Sequence, residues 1–217
     1  MAGMNYVWLA SYPRSGNTFL RTILWNCFGL RSASVYPRDL GSNQHLQDYV
    51  GHIEHSPQLA EIMQQTNGEL FLGKTHELPK DDRRAIYITR DGRAASVSLW
   101  QFFDNQISLR DVIEGKHHFG TWCEHIAAWD PWNRPNTLLL DYEDLTQRLP
   151  ETLEKLSQFL GRAIQSTNLP DRDDIAKVDG IVVKKKKDWR TEMSESDLQR
   201  FMEINQAMMQ KLGYTLD

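Results

Sequence analysis

The sequence predicts an α/β fold: one domain over residues 1–217 with a central parallel sheet flanked by helices and a phosphate-binding loop at a strand end. Three observations carry this expectation. Short apolar runs rich in β-formers alternate with stretches of helical periodicity, the order that builds a parallel sheet. The second and third of these runs finish in polar residues, as strands do when they deliver side chains to a rim. No linker, internal repeat or composition shift divides the 217 residues, and a chain of this length fits one large domain.

The elements follow in order. Residues 6–10 form a β-rich apolar run, residues 11–18 a tight polar loop, and Phe19, Leu20, Ile23, Leu24 and Cys27 then recur at helical spacing. A second strand is expected over 70–74, ending at Thr75-His76, and a third over 85–89, ending at Arg90-Asp91. Asp91 is a natural N-cap for a helix carrying Ala94, Ala95, Val97, Ser98 and Trp100. A further helix is expected from about residue 119 to 129, stopped by Pro131, and a fourth strand over 137–141. Residues 149–160 form a strongly periodic helix ended by Gly161, and residues 198–212 a last one. Residues 31–69 and 103–118 are polar with no clear strand, and read as insertions over the sheet.

Composition bounds the function. Lys and Arg total 25 against 29 Asp and Glu, a net charge of -4. A bulk binder of nucleic acid or anionic membrane would be basic, whereas a local cationic pocket remains open. Cys27 and Cys123 are read as free thiols of a reducing compartment. Residues 1–12 lack a signal-peptide pattern, and no run approaches the ~20 apolar residues of a membrane helix. A cytoplasmic protein with no membrane association is expected.

The loop Ser11 to Thr18 sits where ligands bind in open α/β sheets, outside the carboxyl end of a strand. Free N–H groups and the helix dipole there attract phosphate or sulfate. The loop resembles a P-loop, but Gly16-Asn17-Thr18 stands where that motif has Gly-Lys-Ser/Thr, leaving Arg14 as the loop's cation. A planar guanidinium suits a phosphate. Lys74 and His76 follow a strand and therefore reach the same rim, where His76 could act as a general base; a histidine taken alone is more often a surface or hydrogen-bonded residue, and the strand end beside a lysine reverses that reading. Arg90 ends a strand and Ser98 lies eight residues on, so both could serve one anion, although Arg90-Asp91 also fits a plain ion pair at a helix start.

Five segments in register, Tyr12-Pro13-Arg14-Ser15-Gly16-Asn17-Thr18-Phe19, Lys74-Thr75-His76, Arg90 to Ser98, Tyr142-Glu143-Asp144-Leu145 and Asp188-Trp189-Arg190, together resemble the sulfotransferases that use 3′-phosphoadenylyl sulfate (PAPS). The resemblance spans residues 12–190. It implies that Arg14 and the backbone of Ser15, Gly16, Asn17 and Thr18 hold the 5′-phosphosulfate. Phe19 would pack on the adenine with Tyr142 nearby, Arg90 and Ser98 would bind the 3′-phosphate, and His76 would be the base with Lys74 beside the transferred group. Lys184 and Lys185 would be further 3′-phosphate ligands, although the Lys184 to Lys187 run also reads as a solvated strip. The products would be a sulfated small-molecule acceptor and adenosine 3′,5′-bisphosphate (PAP).

Arg14 replaces the family's usual Lys, Phe19 its usual Trp, and the basic segment before Trp189 lacks the family's glycine. The dimerisation segment of many cytosolic members is absent after Trp189, so the oligomeric state is not read. No metal is expected: His117, His118, Cys123 and His125, like His45, His52 and His55, lack recognised zinc spacing. Trp100, Phe102 and Phe103 are candidates for an acceptor pocket wall. Two other functions fit parts of the pattern. One is a P-loop kinase using ATP and Mg²⁺, for which Asp141 after an apolar strand is suggestive; the other is a non-catalytic nucleotide-binding module.

Overall fold

Five strands make one parallel sheet in a computed structural model that describes residues 5–41, 43–54, 70–104, 106–170 and 188–215. They are β1 (Tyr6–Ser11), β2 (Ala33–Ser34), β3 (Phe71–Thr75), β4 (Arg84–Thr89) and β5 (Thr137–Asp141), in the spatial order β2-β3-β1-β4-β5. The helices are α1 (Asn17–Phe28), α2 (Gln44–Val50), α3 (Gly92–Phe102), α4 (Leu109–Ile113), α5 (Trp122–Trp129), α6 (Tyr142–Gln147), α7 (Leu149–Leu160), α8 (Trp189–Glu192) and α9 (Glu195–Lys211). Strand β1 is central, and the chain order reverses beside it. That reversal opens the crevice in which α/β sheets bind ligands.

The period of two along each strand divides the core. Val7 and Leu9 of β1 and Ile86 and Ile88 of β4 face one layer, with Leu20, Ile23 and Leu24 of α1 and Leu153 and Leu156 of α7. Ala10, Ala85 and Tyr87 face the other, with Val97 of α3, Trp122 and Ile126 of α5, and Phe201 and Met209 of α9. Both faces of the central strands are therefore covered, as parallel sheets require. Cys27 lies in the first layer and Cys123 packs against the second, and both are free thiols.

Strand 137–141 and helix 149–160 fall where the sequence places them, with Gly161 closing the helix in a left-handed conformation. Asp91 caps α3 by accepting a hydrogen bond from the Arg93 N–H. Three expectations are corrected. Helix α5 starts at Trp122 rather than near residue 119, because Thr121 and Glu124 form a reciprocal capping box. Helix α9 starts at Glu195, where the Ser194 side chain caps it. Residues 31–54 are not merely an irregular insertion: Ala33–Ser34 extends the sheet, and Asn43 caps α2. A two-residue strand is too short to show a hydrophobic period. Among the described residues, no helix is long and apolar enough to cross a membrane.

Candidate functional site

The carboxyl ends of β3, β1 and β4 lie side by side, which brings Lys74 to His76, the loop after Ser11, and Arg90 to one rim. The loop turns twice through left-handed backbone, at Arg14 (φ 65°) and Gly16 (φ 107°). Gly16 is the N-cap of α1 and makes no side-chain cap, so the first turn's N–H groups are left to another acceptor. Asn17 anchors the helix start to β1, its Nδ2 donating to the Leu9 carbonyl at 2.8 Å. The buried Ser15 Oγ has no hydrogen-bond partner among the described residues. A Cβ at position 16 would stand 2.7 Å from the Tyr142 ring, so the loop and the start of α6 touch through glycine's bare Cα.

Arg14, Arg90, Ser98 and Tyr142 form one group. Arg14 Nε donates to Ser98 Oγ at 3.2 Å, and the guanidinium lies 5.4 Å from the Phe102 ring centroid. Arg90 Nη1 donates to the Arg14 carbonyl at 2.7 Å, and its guanidinium sits 4.7 Å over the Tyr142 ring. Phe19, on the first turn of α1, is half-buried against the apolar layer. Lys184 and Lys185 lie outside the described residues.

His76 is held by its ring and its peptide. Its Nδ1 lies 2.8 Å from the Ser11 carbonyl. A carbonyl can only accept, so Nδ1 carries the hydrogen and Nε2 keeps the lone pair of the neutral ring. Burial, then the Lys74 ammonium, push the His76 pKa well below the usual histidine value. The His76 N–H donates to the Tyr36 hydroxyl at 2.9 Å, and its carbonyl accepts from His125 Nε2 at 2.9 Å. His125 Nδ1 is then an acceptor, and the Tyr87 hydroxyl donates to it at 2.8 Å. Tyr36 stacks on the imidazole at 5.9 Å and Phe119 meets it edge-on at 6.1 Å.

A cavity of about 270 Å³ opens here, lined by His76, Glu77, Leu78, Lys80, His118 and Phe119. Phe103 approaches the same corner through His117, at 5.7 Å, while Phe102 is exposed beneath Arg14. A larger cavity of about 500 Å³, beside Asp81, Trp129 and Arg134, contains none of the sequence-predicted site residues.

Lys74 Nζ pairs with Asp39, whose other carboxylate oxygen lies 2.7 Å from Arg21 Nη1. Tyr36, Asp39, Arg21 and His125 were not among the sequence candidates. Arg21 had a readable signal, since it falls among Leu20, Ile23 and Leu24 on the buried side of α1, where a charge needs a partner. Tyr36 and Asp39 had none, because they follow a strand of two residues.

The sulfotransferase domain family model matches residues 5–176. Sulfotransferase 4A1 of Mus musculus is 28% identical over 183 residues, which is 75% of this chain and 62% of that protein. Human sulfotransferase 2A1 is 32% identical over 97 residues, 40% of this chain and 34% of that protein. The chain thus spans less than two thirds of these relatives' length. Among solved structures, mouse sulfotransferase SULT7A1 complexed with PAP matches with a TM-score of 0.65 at 18% identity, covering 95% of this chain and 84% of that one. Retinol dehydratase in a complex with retinol and PAP matches with a TM-score of 0.64 at 19% identity, covering 95% and 81%. The structural matches concern the fold, and the family match over most of the sequence settles membership: the chain belongs to the sulfotransferase family.

Proposed function

We propose that the protein transfers a sulfuryl group from PAPS to a hydroxyl or amine of a small-molecule acceptor. The observation that carries the reading is the fixed tautomer of His76: with Nδ1–H on the Ser11 carbonyl, the ring offers a neutral Nε2. PAPS, when bound, supplies a sulfuryl group on a phosphate leaving group.

The loop fits such an anion. It has a buried Ser15 hydroxyl with no partner among the described residues and a first helical turn without a side-chain cap. In this reading Arg14 and residues Ser15 to Thr18 hold the phosphosulfate, and Arg90 and Ser98 the 3′-phosphate. Tyr142 and Phe19 lie against the adenine. Lys184 and Lys185 join the 3′-phosphate ligands by resemblance alone.

His76 Nε2 takes the acceptor's proton as the acceptor attacks sulfur. Lys74 and Arg14 donate to charge developing on the moving group and the phosphate it leaves, each preorganised donor contributing ~2.7–4 kcal/mol at the transition state. We read the chain as one sulfotransferase domain over residues 1–217. Two layers on a single sheet support this. Cytoplasmic residence is our reading of the two unpaired cysteines.

Radiolabelled PAPS incubated with a metabolite extract tests the proposal. Label should pass to an acceptor without added Mg²⁺ and in the presence of EDTA. His76→Ala should abolish transfer while calorimetry still detects PAP binding. Retained turnover in that variant removes His76 from the role, and PAP binding without transfer to any acceptor in a broad panel favours a binding module.

A further inference from the structure

We propose that Asp39 is a positioning residue of this site: its carboxylate, buried between the Arg21 guanidinium and the Lys74 ammonium, fixes where Lys74 presents its charge. The inference rests on the sulfuryl-transfer reading. Three side chains are withdrawn from water together: Arg21 is fully buried, Asp39 is 4% exposed and Lys74 9% exposed. Arg21 is itself held on its other edge, Nε donating to Ser32 Oγ at 2.8 Å and Nη2 to His52 Nδ1 at 2.8 Å. It serves as a fixed post. The Asp39 carboxylate divides its two oxygens, one to the post and one to Lys74. A lysine stem has four rotatable carbons, and this contact selects one arrangement among them.

The count of charges gives the contact a second consequence. Two buried cations share one carboxylate, so the cluster keeps one net positive charge for an anion arriving at the rim. The groups facing Lys74 are Asp39, Arg21, Arg14, His76, His52 and Tyr36. Only Asp39 among them is anionic at neutral pH. Burial lowers the Lys74 pKa and Arg21 and Arg14 add to that, while Asp39 opposes them. Asp39 therefore sustains the protonated form as well as its placement.

The test compares Asp39→Asn with Asp39→Glu. Asn removes the charge: kcat should fall about 100-fold, the alkaline limb of its pH profile should move to lower pH, and PAP affinity should hold. Glu keeps the charge and moves it by one methylene: kcat should fall while the alkaline limb stays. A loss of thermal stability with an unmoved limb in the Asn variant overturns the proposal. Nitrogen NMR of the Lys74 ammonium in the PAP complex reads the same point without turnover, the Asn variant titrating at lower pH. If that variant does not fold, the wild-type Asp39 carboxyl carbon signal should follow the Lys74 titration, and independence of the two overturns the proposal. Absence of sulfuryl transfer in the wild type would instead sink the proposed function, with the NMR comparison still deciding Asp39.

Discussion

Replacing Gly16 by Ala puts a methyl group into the Tyr142 ring, 2.7 Å from Cδ2 and 3.2 Å from Cε2. It also asks an L-residue to hold φ 107°. Such backbone costs about 1–3 kcal/mol for a non-glycine residue, and forcing a methyl into packed atoms costs a further ~1–3 kcal/mol. The ring cannot simply retreat, because the Arg90 guanidinium lies over it and is tied to the Arg14 carbonyl. The loop, the Tyr142 ring and the Arg90 guanidinium should therefore shift together. Gly161→Ala is the control: φ is +64° and nothing lies within 4 Å of its Cβ, so only backbone strain of about 1 kcal/mol applies. Urea unfolding followed by tryptophan fluorescence should show Gly16→Ala as the more destabilised, and calorimetry should show weakened PAP binding in that variant alone. Adding Tyr142→Ala to Gly16→Ala should recover part of the stability. Equal destabilisation of the two glycine variants with unchanged PAP affinity would show that the contact with Tyr142 is not what position 16 requires.

His125 gives a pH prediction. Burial lowers its pKa from 6.5 to about 4, so below pH 6.5 the unfolded chain takes up a proton that the folded one refuses. Stability should fall as pH drops from 6.5 towards 4, by about 3 kcal/mol from this group, and urea midpoints for His125→Phe should lack that part of the slope. Tyr36→Phe removes the acceptor of the His76 N–H and the donor to Glu77. It should cost about 1–3 kcal/mol of stability and lower kcat, with a wild-type kcat counting against the anchoring role. Arg14→Lys keeps the charge and loses the fork that reaches Ser98, so single-turnover transfer should be slower than wild type and faster than in Arg14→Ala.

The parts of the fold legible in the sequence were those with a repeating pattern. Leu149–Leu160 shows its helical stripe and its closing glycine, and Thr137–Asp141 is a plain apolar run. Helix starts were displaced wherever a serine or threonine cap, at Thr121 and Ser194, overrode the apolar period. The rim was legible because a parallel sheet places every carboxyl end on one side, so Arg14, Lys74, His76 and Arg90 could be gathered before any coordinates. What held them was not legible. Tyr36, Asp39 and His125 act through contacts between residues far apart in the chain, and a contact between residues 39 and 74 leaves no periodic trace.

A net charge of -4 describes the surface of this protein and not its rim, where cations do two kinds of work. In the proposed reaction Lys74 donates to the departing anion, and its ammonium also bears on His76. Protonating His76 would place a second positive charge beside the first, so the Lys74 ammonium helps keep the imidazole neutral, second only to burial. Lys74→Met separates the two effects. Its His76 should titrate at higher pH than the wild type does, while remaining below the ordinary value because burial persists. The acid limb of any residual turnover should move up with it. Proton and carbon NMR of the ring reads this directly, and a His76 titration unmoved by the substitution would mean that burial alone lowers the His76 pKa and that, in the proposed reaction, Lys74 acts only on the leaving anion.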